Sequence, residues 1–484
     1  MEKLRQYLPT PLILLTFLIS FITIYAVASP ILEDNDMGWH IAAGDLIRTL
    51  GYLPYHDSWS FSGSDQLWYN HSWLWDIILS FTHEKFGIKG FFIFAVACPA
   101  LLVALLVQSL RMRPEIGISS LIFTGIITTC CMLQFTTGRP QVMGMFFALA
   151  FNHILSRSRQ NNNCRALYIL PFIMLLWVNI HGSFIAGLTI IAAYGLESIY
   201  CKNKQWFWKL LAVGFVCLFV VFINPYGIDL ITFIINTKTS VITQVINEWN
   251  PFVLGDVMGA TLWFILFIIY SNLRGGNTFF ADKLQVVLWM FAMMLSVRNM
   301  GLLSILGAPY LACNLPADSP DDVKTRRIAA WLDNKNFSFQ IFVAIPIIAV
   351  SYFMLPVLRG EHYIKTHKND VLPAISYVIK NYPGKRVFND YDMGGRIIYE
   401  SKGQFPVFID GRAGSVYNEK ILQDFIAIQF LEEGWQKILD SYKIDLIILK
   451  NGRQFPVNYA KGYYHDKWDE VFHDDVASVY VRKN

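Results

Sequence analysis

The sequence predicts a polytopic α-helical membrane protein of about eleven transmembrane helices, followed by an α/β domain outside the membrane. Three observations carry this. Only 16% of the 484 residues are charged and 54% are hydrophobic, whereas soluble domains run near 25% charged. Apolar stretches of near-spanning length recur from residue 10 to residue 356, and a helix needs about 20 apolar residues to cross a bilayer. Beyond residue 357 the chain turns charged, aromatic and alternating. The expected domains are therefore a transmembrane part, 1–357, and an external part, 358–484.

The eleven stretches are 10–29, 88–108, 116–134, 141–156, 166–180, 183–199, 210–223, 258–271, 284–297, 301–315 and 338–356. The first is longer than a signal-peptide apolar core and lacks a small-x-small cleavage site, so it reads as an uncleaved anchor. Pro309 interrupts the stretch 301–315, and a further run, 227–236, is too short to cross and reads as lying on or dipping into the membrane surface. The largest external loop, 30–87, carries two short interfacial helices, 39–50 and 72–83. Trp39, Trp59, Trp68, Tyr69, Trp73 and Trp75 give it the aromatic character that favours the bilayer interface.

Charge sets the orientation. With the N-terminus cytoplasmic, one side collects sixteen Lys and Arg residues up to residue 357 and the other collects six. The positive-inside rule puts the richer side in the cytoplasm. The formal net charge of +4 is then a topology signal and gives no reason to invoke nucleic acid. All seven cysteines fall in spans or cytoplasmic turns, which excludes a disulfide framework in the external parts, and no metal-binding cysteine spacing occurs.

In the tail, the runs 386–388, 406–409, 445–449 and 477–481 read as strands. Segments 371–381 and 418–440 read as helices, and Gly394-Gly395 and Gly411-Arg412-Ala413-Gly414 read as tight turns. An odd number of spans places this domain outside.

Helices that alternate in direction return to one face at every second end. The conspicuous polar residues obey that spacing: Asp34, Asp36 and His40 follow the first span, Arg139 the third, His181 the fifth, Asn224 the seventh and Arg298 the ninth, with Glu248 in the loop after Asn224. Charges near lipid are costly, so such residues are functional candidates. Asp34 and Asp36, at i and i+2, suit either a divalent cation bridging a phosphate or proton abstraction from an acceptor. Arg139 in Thr137-Gly138-Arg139-Pro140 either snorkels to lipid phosphate or binds a phosphate leaving group. His181 either contacts substrate or caps its hairpin. Asn224-Pro225-Tyr226-Gly227 is a turn signal.

Asp34, Asp36, Trp39 and His40 form Asp-x-Asp-x-x-Trp-His, and the whole layout resembles the GT-C class of integral membrane glycosyltransferases, in particular a bacterial branch with that acidic motif. Asn389-Asp390-Tyr391-Asp392-Met393-Gly394-Gly395 and Phe408-Ile409-Asp410-Gly411-Arg412 resemble the external domain of membrane proteins of the same branch. The resemblance implies transfer of a sugar from a polyprenyl-phosphate carrier to a glycan, lipid or protein acceptor on the external face of the bacterial inner membrane, with the tail in the periplasm. It implies Asp36 or Asp34 as catalytic base, with Arg139, Arg298, His181 and His40 as donor-phosphate residues. Glu248, Asn224, Asp390, Asp410 and Arg412 remain for acceptor binding or support. A divalent cation, Mg²⁺ or Mn²⁺, on Asp34 and Asp36 is compatible with it. The rival readings are a transporter or flippase of lipid-linked saccharides and a non-catalytic envelope-assembly protein. A transporter is expected to hold ionisable residues at the bilayer midplane.

Overall fold

The computed structural model describes residues 10–27, 34, 36–64, 66–113, 115–133, 135, 138–161, 164–237, 241, 249–251, 278–315, 330–331 and 370–483. The spans expected at 258–271 and 338–356, and Glu248, lie outside the described residues. The chain divides into two compact units. One comprises 1–28, 93–227 and 247–358, and the other 29–92, 228–246 and 359–484. The first loop, counted from sequence with the membrane part, thus packs with the tail.

The first unit is helical. Its described helices are Pro11–Val27, the second half of Trp73–Arg111, Ile118–Met132, Gln141–Gln160, Leu170–Val178, Ile185–Tyr200, Lys204–Val220, Phe280–Leu295, Met300–Leu306 and Ala308–Asn314. The helix Trp73–Arg111 changes direction at Gly87, which has φ 65° and ψ −178°. Among the described residues, two helices are both long and apolar enough to cross a membrane, Trp73–Arg111 and Gly182–Tyr200. The stretch 301–315 breaks at Gly307, and Pro309 opens the second short helix, where a missing N–H costs nothing.

The ends of these helices pair in two groups. At one set of ends, Thr10 meets Gln108, Ser109 meets His153, Arg113 meets Ser156 and Asp282, and Arg159 meets Glu197. At the other, Gln141 meets Arg298 and Asn179 meets the Ile223 carbonyl. Between them the helices turn large apolar side chains outward: Ile126, Phe172, Phe215, Phe219, Val287 and Phe291 are all exposed.

The second unit is α/β. Its four-stranded sheet comprises β1 (Val387–Asn389), β2 (Leu446–Lys450), β3 (Trp468–His473) and β4 (Ala477–Arg482), in the order β1-β2-β4-β3. β1 runs parallel to β2, with Phe388 opposite Ile447, and the other pairs are antiparallel. Helices Leu372–Asn381, Tyr391–Glu400, Glu419–Gln429, Trp435–Ser441 and Gln454–Ala460 complete the tail. The first loop adds the helix Met37–Leu50 and the start of Trp73–Arg111, and the segment 228–246 adds the short helix Asp229–Thr237, whose Phe233 stacks on Tyr69.

Several expectations are corrected here. The run 406–409, buried at Val407, Phe408 and Ile409, makes only an isolated bridge, from Val407 to Ser60. The segment 418–440 is two helices, divided by Gly434 at φ 86°. β3 has an irregular pattern, with a register shift between Glu470 and Phe472, so its alternation is hidden in the sequence. The pair Gly394-Gly395 lies inside a helix. A methyl on Gly38 would overlap the Gly395 carbonyl, and one on Gly394 would overlap the Ile409 carbonyl. These glycines allow close backbone packing, a use of glycine distinct from turn formation. The tryptophans assigned to the interface are also mostly core: Trp39, Trp59 and Trp68 share one hydrophobic core with Phe388, Phe408, Tyr417 and Phe425. Aromatic count alone does not distinguish a bilayer interface from a protein interior.

Candidate functional site

The acidic motif opens the helix Met37–Leu50. Asp36 occupies its N-cap position, yet its side chain makes no capping bond. Instead Asp36 Oδ1 accepts from the Trp39 indole Nε1–H at 3.2 Å, and Asp34 Oδ1 accepts from the Asp36 backbone N–H at 3.0 Å. Both acids are half-buried. The helix N-terminus carries partial positive charge, which attracts an anionic group. The local fold follows from the sequence: Gly38 lets the first turn meet the helix Tyr391–Glu400, and Trp39, buried in the core, anchors the turn on which both acids sit.

His40 is buried and stacks on the Trp39 ring, with centroids 3.7 Å apart. Its Nδ1 lies 2.6 Å from Asp76 Oδ1, and Asp76 Oδ2 accepts from Asn70 Nδ2 at 2.8 Å. Asp76 is completely buried. In sequence Asp76 interrupts the apolar helical face of segment 72–83. The signal was there: an acid on such a face needs a buried partner, and His40 is one.

The tail residues proposed for the acceptor are placed differently. Arg412 donates from Nε to Asp410 Oδ1 at 2.9 Å, from Nη2 to Asp410 Oδ2 at 2.7 Å and from Nη1 to Asp57 Oδ1 at 2.6 Å. Tyr417 donates to Asp410 Oδ2 at 2.6 Å. The side chains of Asp57, Asp410 and Arg412 are 0% exposed. The guanidinium lies 5.0 Å from the Trp59 ring and 4.9 Å from the Trp68 ring. Burial opposes the charge on Arg412, but Asp410 and Asp57 outweigh it and hold its pKa well above the usual value. Burial likewise pushes the Tyr417 hydroxyl well up, and Asp410 adds to it. This set ties the loop to the tail, and Asp410 and Arg412 are out of reach of a soluble acceptor. Asp390 is also wholly buried, paired by Arg453 through Nε at 2.6 Å and Nη2 at 2.7 Å. Asp57, Arg453 and Tyr417 were not singled out from the sequence, because nothing local marks a partner tens or hundreds of residues away.

In the helical unit, the Gln141 amide, oriented to satisfy both groups, accepts from Arg298 Nη2 at 3.0 Å and Nε at 3.2 Å. Arg298 also lies 4.8 Å from the Trp249 ring. Gln141 is two residues beyond Arg139, so the helix ends carrying the two arginines come together. His181 Nδ1 accepts from the Ser183 backbone N–H at 3.2 Å and lies 2.7 Å from Ser183 Oγ, which caps the turn Gly182–Phe184. Asn224 accepts from the Tyr226 N–H at 2.8 Å and donates to the Val221 and Gly227 carbonyls, the bonding of a turn residue.

Among the described residues, no three His, Cys, Asp or Glu side chains gather to hold a metal ion. Asp34 and Asp36 supply two carboxylates, each with a donor already on one oxygen. That set suits a cation only in the manner of Mg²⁺, with phosphate oxygens and water completing its shell.

No family model matches the chain, and no curated protein matches it. Solved structures do. A crystal structure of the Archaeoglobus fulgidus oligosaccharyltransferase in its apo form aligns with a TM-score of 0.58 at 13% identity, over 90% of this chain and 69% of that one. Archaeal oligosaccharyltransferase AglB from Archaeoglobus fulgidus, in complex with an inhibitory peptide and a dolichol-phosphate, aligns at 0.56 and 12% identity, over 90% and 69%. ArnT from Cupriavidus metallidurans bound to undecaprenyl phosphate aligns at 0.50 and 11% identity, over 96% and 97%. At these identities the likeness shows the fold alone.

Proposed function

We propose that the chain is a membrane glycosyltransferase that moves a sugar from a polyprenyl-phosphate carrier to a glycan, lipid or protein acceptor outside the cytoplasm. The observation that carries this reading is the Asp36 carboxylate: half-buried at a helix N-terminus, held by the Trp39 indole and not spent on capping its helix. The fold shared with carrier-dependent enzymes supports it, as do the apolar faces of the helical unit, whose exposed Phe and Ile side chains suit lipid. Tyr168, Tyr200 and Trp208, also exposed, suit the interface at one set of helix ends.

In the proposed step, the acceptor hydroxyl gives its proton to the Asp36 carboxylate as its oxygen attacks the anomeric carbon. The bond from that carbon to the phosphate oxygen breaks, its electron pair stays with the phosphate, and the polyprenyl phosphate departs. Arginine stabilises that leaving charge, the role assigned to Arg139 and Arg298. A divalent cation, Mg²⁺ or Mn²⁺, on Asp34 and Asp36 would neutralise part of it. His40 keeps one ring nitrogen on Asp76 and offers the other for hydrogen bonding.

The transporter reading is weaker. In the helical unit the two ion pairs described, Arg113–Asp282 and Arg159–Glu197, lie at helix ends, away from the middle of their helices. The purified chain in liposomes, given labelled undecaprenyl-phosphoryl hexoses and pentoses, separates the alternatives. The proposal expects release of undecaprenyl phosphate with label passing to an acceptor or to water. Movement of intact lipid-linked sugar across the bilayer, without cleavage, would replace the enzyme by a flippase.

A further inference from the structure

We infer that the C-terminal domain seats the base: Gly411, with Trp39, fixes the position of the Asp36 carboxylate and is a positioning residue for the reaction. The inference rests on the reading of Asp36 as the base.

Three contacts carry it. Asp36 Oδ1 accepts from Trp39 Nε1 at 3.2 Å. The same oxygen lies against Gly411, where a methyl group would overlap it and would also come within 3.0 Å of Trp39 Nε1. One carboxylate oxygen is therefore confined between an indole and a glycine more than three hundred residues later in the chain. Glycine is the residue that permits this approach.

Gly411 is itself held firmly. It lies between Asp410 and Arg412, whose side chains are joined by two hydrogen bonds and further tied to Tyr417 and Asp57. Its carbonyl accepts from the Tyr391 hydroxyl at 3.4 Å. The helix that carries Asp36 is fixed by the approach of Gly38 to the Gly395 backbone, so both sides of the seat are anchored in the tail. The buried Asp57–Arg412–Asp410–Tyr417 network thus has a consequence at the reacting carboxylate: it immobilises the backbone against which Asp36 rests. Geometry of that kind matters, because a displacement of about 1 Å can cost about a hundredfold in rate.

The test is Gly411→Ala in the full chain. The atom met by the new methyl is the far end of a short side chain, so the substitution moves the carboxylate in preference to the backbone. In vesicles of phosphatidylethanolamine and phosphatidylglycerol, turnover of the undecaprenyl-phosphoryl sugar panel should fall at least about tenfold with the donor KM near wild type. Gly452→Ala, in a tail position with open space around it, should leave turnover unchanged. In an Asp36→Asn background, Gly411→Ala should cost nothing further, because the group it displaces no longer acts. An equal fold-loss in both backgrounds would make Gly411 a fold residue and overturn the inference. If Gly411→Ala fails to fold, Trp39→Phe runs the same cycle, and a loss that persists without the Asp36 carboxylate overturns it equally. A substrate-free reading separates this inference from the assignment of the reaction. The Trp39 indole N–H resonance, identified by its disappearance in Trp39→Phe, should move in Gly411→Ala in the direction seen with Asp36→Asn. A resonance left at its wild-type position would refute the seat whatever sugar the enzyme uses, whereas a shifted resonance with unaltered turnover would leave the seat standing and remove Asp36 from the chemistry.

Discussion

Arg412 illustrates how differently one residue reads in sequence and in structure. From the sequence it is a cation in a glycine-rich turn of an external domain. In the fold it is wholly buried, bonded to two carboxylates and flanked by two tryptophans. Removing one member of such a set leaves the others buried and unpaired, which costs about 3–5 kcal/mol. Arg412→Ala should therefore lower thermal stability sharply, read by the midpoint of unfolding in detergent; an unchanged midpoint would show that water reaches this set. Arg298 makes the converse case. It is bonded to a neutral amide and lies over one ring, and donor phosphate is the ligand proposed for it. Arg298→Ala should raise the donor KM roughly tenfold or more, the scale of a hydrogen bond to a charged group. Unaltered donor kinetics would confine Arg298 to holding Gln141. Asp34, Asp36 and His40 stand out as candidates in sequence because they closely follow the first apolar stretch. Asp57, Asp76, Tyr417 and Arg453 do not, because their meaning depends on partners that only tertiary folding supplies.

At the scale of elements, the packing of the helix Met37–Leu50 on Tyr391–Glu400 is the feature that sequence reading mistook. Gly394-Gly395 reads as a turn in sequence, since glycine costs helix stability of about 1 kcal/mol. Here that cost is offset by the approach of two helix backbones at Gly38 and Gly395. Gly38→Ala should destabilise by about 1–3 kcal/mol through overpacking and should also reduce turnover, because it shifts the turn bearing Asp36. Gly195→Ala, in a helix with nothing near the added methyl, should stabilise by roughly 0.5–1 kcal/mol. Thermal unfolding of the two variants gives opposite signs if this account is right, and destabilisation by both would mean that propensity and space do not decide these sites. The long apolar helices and strands β2 and β4 were readable, since their patterns are continuous. β3 was not, because its register shift breaks the alternation on which strand reading depends.

For the whole molecule, the first loop and the tail share one core, with Trp39, Trp59 and Trp68 packed among tail residues. Deleting residues 360–484 should therefore abolish turnover and expose the loop 34–92 to protease, while the helical unit still inserts. Continued protection of the loop would show that it folds without the tail. Reporter fusions after residues 160 and 357 should fall on opposite sides of the membrane, as the sixteen-to-six distribution of basic residues requires. Two reporters on the same side would reverse the placement of the tail and with it the proposed compartment of the reaction. The most direct test of the central claim is the turnover of Asp36→Asn, measured as release of undecaprenyl phosphate by protein that is expressed and folded as wild type. The substitution removes the negative charge and nearly preserves shape, so loss of a general base predicts a fall of at least about a hundredfold. Near-normal turnover would contradict the assignment of Asp36 as the centre of the active site.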